Sequence, residues 1–139
     1  MTPRDLADRF LGKAAQDETL LDKVLDDAEV SDEVIGFHCQ QAAEKLLKAV
    51  LIHVGIQFRR THDLAELVQL LEDHDISLPE FLANLDTLTP FAVEYRYDFL
   101  GVGEPSSFDR KSARKMVSIL RQWADERIQL AEQKTEQTT

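Results

Sequence analysis

Four histidines, one cysteine and many carboxylates are the side chains of this 139-residue sequence that could do chemistry. His38 and His53 share one helix-patterned stretch but stand 15 apart, not at the i, i+4 spacing that sets two metal ligands on one helix face. Cys39 is the only cysteine, which excludes an intramolecular disulfide and leaves a cysteine-based metal site without support. Most Asp and Glu residues fall at helical spacing on polar faces, so no single pair argues for general acid–base work. A Gly-rich phosphate loop and a nucleophile elbow are both absent from the sequence. No metal or cofactor is expected.

The basic residues form two groups. In RKSARK, residues 110–115, Arg110 and Arg114 stand four apart, as do Lys111 and Lys115, giving a basic stripe on one helix. The preferred reading is a solvated face that balances acidic residues elsewhere; the sharper one is a nucleic-acid surface built on Arg110, Arg114 and Lys115. Arg59, Arg60 and His62 precede another helix, whose N-terminus would assist anion binding. A separate stretch, EYRYDFLGVG at 94–103, sets Arg96 between Tyr95 and Tyr97. Two residues apart on a helix, those tyrosines face different sides.

Hydrophobic periodicity supplies the elements that must hold these groups. Ala7, Leu11, Ala14, Leu21, Leu25 and Ala28 recur at steps of three and four, with Glu18 in the one missing place, and predict a helix over about 3–28. Ser31 or Asp32 caps a second helix over 32–54, the most apolar, with Glu33, Gln40, Glu44 and Lys48 on its narrow polar side and Gly55 as C-cap. A third spans 63–73, with Thr61 as its cap. SLPE, 77–80, has capping-box spacing and opens a helix to about Thr87. Thr89 and Pro90 restart a short helix through Phe91 to Tyr97. A loop over 101–107 leads to the last helix, 108–132. The fold class is all-α, an antiparallel helical bundle of about five helices. Residues 1–132 form the domain, and 133–139 a disordered tail.

A content of 43% hydrophobic and 30% charged residues describes an ordinary globular domain. No apolar run reaches the roughly 18 residues of a membrane span, and the start lacks a signal-peptide core, so the expected location is cytoplasmic. The net charge of −10 repels nucleic acid overall. It is unevenly spread: residues 1–33 carry ten Asp/Glu against four Lys/Arg, while 107–127 carry six Lys/Arg against three Asp/Glu. Unlike faces packed together, or a partner surface, would account for that.

Three separated motifs then align in order: Gln40, Gln41, Ala42, Glu44, Lys45, Lys48 and Ala49; His62, Asp63 and Leu64; Arg96 and Tyr97. Together they resemble the HEPN family over about residues 5–130. The resemblance implies a helical bundle that often dimerises and is often encoded beside, or fused to, a small nucleotidyltransferase, many such pairs looking like toxin–antitoxin modules. It assigns binding to Arg96, Tyr97 and Asp98, with His62, Asp63 and Lys45. The family's ribonuclease branch uses an Arg and a His with four to six residues between them. Here Gly101, Val102 and Gly103 occupy those positions, and no histidine follows His74.

The resemblance therefore implies a non-catalytic, homodimeric partner of a nucleotidyltransferase with a nucleotide- or anion-binding groove around Arg96. Arg96 alone stabilises phosphate charge but is no base at neutral pH. It binds an anion or forms a buried ion pair with Asp63, Glu94 or Asp98. The alternative is a divergent ribonuclease in which His62 supplies the missing imidazole. Against this stands the structural reading, favoured by the residue types, in which His62 and Asp63 cap the third helix.

Overall fold

Thr2 and Asp5 close a capping box at the chain start: Thr2 Oγ1 accepts the Asp5 N–H at 3.1 Å, and Asp5 Oδ2 accepts the Thr2 N–H at 2.9 Å. With Pro3 in the first position, α1 runs over Pro3–Val24. This is the first element of a computed structural model that describes residues 1–93 and 108–138; every regular element among them is helical. α1 stops at Val24, short of the predicted residue 28. The cause lies far along the chain. The Arg110 guanidinium donates to the carbonyls of Leu25, Asp27 and Val30 and to Asp32 Oδ1 at 2.7 Å, satisfying the connection in a non-helical form.

α2 covers Asp32–Val54, as its sequence predicts. Ser31 Oγ accepts the Val34 N–H, and Gly55 ends the helix in the left-handed region at φ 82°, where a side chain would be strained. Its wide apolar surface, from Ile35 and Ala42 to Leu46 and Val50, is fully buried, so α2 is the central helix. α3 (Leu64–Asp73) is capped by Asp63 rather than Thr61. Thr61 Oγ1 instead accepts the Asp63 N–H at 3.0 Å.

The helix predicted from SLPE does not form. Two 3-10 turns, Glu80–Leu82 and Leu85–Leu88, take its place, and no capping-box hydrogen bond is made. Leu82, Leu85 and Leu88, all buried, are spaced by three, which matches three residues per turn rather than 3.6. The Trp123 indole N–H donates to the Ser77 carbonyl at 3.1 Å and ties this segment to the last helix. α4 begins at Pro90 and is described to Val93. The hydroxyl oxygen of Thr89, just before it, accepts the Leu64 N–H at 3.1 Å. The predicted continuation to Tyr97 and the 101–107 loop lie outside the described residues.

α5 spans Arg110–Thr138, passing through the segment read from sequence as a tail. Gln133, Lys134, Glu136 and Gln137 are good helix formers, and no Gly or Pro interrupts them. Ion pairs set α1 and α2 against α5: Arg4 with Glu132, Glu18 with Arg121, Asp22 with Arg114, and Asp32 with Arg110. Numbers rise on one side as they fall on the other, so α1 and α5 are antiparallel. The stripe of RKSARK is thereby corrected: Arg110 and Arg114 hold the bundle together, and Lys115 Nζ lies 5.3 Å from the Phe81 ring. Among the described residues, no helix is long and apolar enough to cross a membrane.

Cys39 lies at 0% exposure on α2, and burial pushes its thiol up to about 12. A thiol reagent at pH 8 is expected to modify it only after unfolding in guanidinium. Fast modification in native buffer would show that the core opens there.

Candidate functional site

The polar side of α2 is not a solvent face. Gln40 is fully buried, and the side chains of Glu44 and Lys48 are 8% and 10% exposed. Glu44 Oε1 accepts the Gln40 amide at 3.0 Å and faces His62 Nδ1 at 2.7 Å, while Oε2 accepts Lys48 Nζ at 3.0 Å. The Gln40 amide also donates to the His62 carbonyl at 3.2 Å, and Gln41 Nε2 donates to Gln40 Oε1 at 2.7 Å. One turn of α2 thus grips His62 by ring and backbone, yet the imidazole is 60% exposed. A carboxylate-braced imidazole with an open edge can bind an anion or exchange a proton.

Burial works to raise the Glu44 pKa, but hydrogen bonds from Gln40, His62 and Lys48 outweigh it, and the carboxyl titrates below the ordinary 4.5. A carboxyl depressed in the folded state stabilises the fold above its unfolded pKa, and that contribution goes as pH falls through the folded value. Stability measured in urea should therefore drop as pH falls below about 4.5. Glu44→Gln should remove part of that drop. An unchanged slope in the variant would mean the other depressed carboxyls, Asp5, Asp22 and Asp109, carry all of it.

The remaining sequence-derived residues are placed as follows. Asp63 Oδ1 accepts the Ala65 and Glu66 N–H groups at 3.0 and 3.4 Å, which occupies the N-terminus of α3. That end therefore lacks the open donors an anion would need. Arg59 pairs with Glu66 at 2.7 Å. Lys45 belongs to a second cluster on the α1 side of α2: its Nζ donates to Asp17 Oδ2 at 2.6 Å, and His38 Nδ1 lies 3.0 Å from Asp17 Oδ1. The structure brings Lys45 to Asp17, not to His62. Asp17 itself drew no notice in the sequence, since one acid among ten in residues 1–33 carries no local signal. Arg96, Tyr97 and Asp98 lie outside the described residues, as do Glu94 and Tyr95.

Gly36, Gln40 and Glu44 share one face of α2 at steps of four. Phe91 of α4 is seated on Gly36, so close that an added Cβ would come within 2.3 Å of the ring. α4 therefore docks one turn before Gln40 on the face that holds His62, and Arg96 follows five residues after Phe91. Among the described residues, no three His, Cys, Asp or Glu side chains converge as a metal site. A hollow of about 400 Å³ between α3 and the 3-10 turns is lined by Val68, Leu78, Leu82 and Leu85, with Glu72, Glu80 and Asp86 also on its wall.

The family model described as HEPN domain matches residues 11–129. The chain belongs to the HEPN family. No curated protein and no solved structure matches it. In this HEPN domain the Gln-Gln-Ala-x-Glu-Lys motif has a visible physical role: Gln40 and Glu44 hold the His-Asp-Leu segment, while Lys45 ties α2 to α1.

Proposed function

We propose that this HEPN protein is a non-catalytic binding subunit. In this reading it is a homodimer that partners a nucleotidyltransferase, in a toxin–antitoxin-type module, and takes a nucleotide phosphate in a groove around Arg96 and His62. The observation that carries it is the exposed His62 imidazole, braced by buried Glu44 on the α2 face where Phe91 of α4 is seated, five residues before Arg96 in the sequence. An arginine fork and an imidazolium suit phosphate oxygens. The sequence meanwhile lacks the histidine that should follow Arg96 in a ribonuclease of this family.

Calorimetric titration with nucleoside triphosphates tests the reading. Arg96→Ala and His62→Ala should each weaken binding by about tenfold, the equivalent of about 1.4 kcal/mol. Light scattering should give about twice the 15.9 kDa chain mass. Co-expression with a nucleotidyltransferase encoded beside it should yield a stable complex. A monomer that binds no nucleotide and no such partner would refute the reading.

The same dyad favours one second reading, a divergent ribonuclease with His62 as proton carrier and Arg96 on the phosphate. It requires RNA cleavage by the wild type, lost in folded Arg96→Ala and His62→Ala. An inert, RNase-free wild-type preparation removes it.

A further inference from the structure

The contact between Glu44 and His62 decides which ring nitrogen faces outward. An ionised carboxylate only accepts hydrogen bonds, so the 2.7 Å contact requires the proton on His62 Nδ1. Nε2 is then the atom left for a ligand. The Gln40 amide, shared between Glu44 Oε1 and the His62 carbonyl, prevents ring and backbone from shifting independently. We propose that Glu44 is the positioning residue of this site: it holds His62 by its Nδ1–H and turns Nε2 outward, from which the protonated ring donates to a phosphate oxygen of a bound nucleotide. This rests on the binding reading above only for the identity of the ligand; the state of the ring is a property of the free protein.

The neighbouring charges fit that role. Lys48, on α2, occupies the other Glu44 oxygen and lies 5.7 Å from the Phe58 ring. Asp63, beside His62 in the chain, is turned to the α3 backbone, and Arg59 of the same segment is paired with Glu66. Thr89, which brings the start of α4 to Leu64, carries no charge. Among these, Glu44 is the charged group in contact with the ring. Once protonated, Nε2 donates to phosphate; when neutral, it offers only a lone pair.

Long-range proton–nitrogen NMR of the ¹⁵N-labelled full chain tests this, with the His62 signals assigned by His62→Ala. Above its midpoint, wild-type His62 should show the Nδ1–H tautomer, a result that needs no variant to fold. In Glu44→Gln the tautomer should shift toward Nε2–H. Glu44→Asp, which keeps the charge, should retain the wild-type form. Pyrophosphate, the ligand probe, should move the wild-type Nε2 signal and do so at least about fivefold less tightly in Glu44→Gln. An Nε2–H wild-type ring, or a folded Glu44→Gln protein with an unchanged tautomer, overturns the proposal. The predicted tautomer with no response to pyrophosphate upholds Glu44 as the residue that sets the ring and overturns the phosphate-binding reading instead.

Discussion

Gly36→Ala is expected to destabilise the protein even though alanine is the better helix former. The propensity gain in mid-helix is about 1 kcal/mol. Against it, the new Cβ would lie 2.3, 2.5 and 2.6 Å from Cδ1, Cε1 and Cγ of Phe91. Those atoms include the root of the ring, so no turn of a flexible tip relieves the collision. Phe91 also packs against Phe108, at 4.9 Å between centroids. Overpacking of this kind costs about 1–3 kcal/mol and occasionally more, so the clash wins by about 1 kcal/mol. Urea unfolding measures it, and a double-mutant cycle identifies its cause. In a Phe91→Ala background the same glycine change should become neutral or stabilising. If Gly36→Ala destabilises equally in both backgrounds, the contact with Phe91 is not the reason. Because α4 precedes Arg96, Gly36→Ala should also weaken nucleotide binding under the proposed function.

The second large effect concerns Glu18, which interrupts the apolar stripe of α1. Its side chain is 12% exposed, and its Oε2 accepts Arg121 Nη2 at 2.7 Å and Nε at 3.0 Å. Arg121 donates further to the Leu11 carbonyl at 2.8 Å, and Arg114 lies 3.7 Å from Glu18. Removing the acid alone leaves a poorly hydrated guanidinium against the core. Glu18→Ala should therefore cost about 3 kcal/mol, a sizeable part of the 5–15 kcal/mol typical of a domain. Replacing both partners by leucine should recover most of that loss, since neither charge is then stranded. A loss below about 1 kcal/mol in Glu18→Ala would place the pair among ordinary solvent-screened bridges.

Much of the fold was legible because the signals are local. The limits of α2 follow from Ser31, an unbroken apolar period and Gly55, all within one stretch of chain. The buried face of α5, from Ala113 to Ile128, follows from spacing alone. The errors occur where a local pattern has two solutions. SLPE offers capping-box residues, but Leu82, Leu85 and Leu88 bury better with three residues per turn. Thr61 and Asp63 are both good caps, and the longer reach of the carboxylate suits the α3 amides. At the site, the sequence supplied the motif residues and His62 but not their contact. Glu44 and His62 are 18 residues apart, and the connection after Gly55 decides where the imidazole arrives.

The sequence by itself determined an all-helical chain, its central apolar helix, the Gly55 stop and the motifs of the HEPN family, because helical period and backbone freedom are properties of neighbouring residues. The tertiary structure alone decided where α1 ends, which arginines are engaged, and that Glu44 is a buried brace rather than a solvated surface acid. Each of those depends on a charge meeting its partner across the bundle, as Arg110 meets Asp32 from 78 residues away. Burial makes an unpartnered charge costly, so the choice of partner is fixed by packing, and packing is not written in any local stretch of sequence.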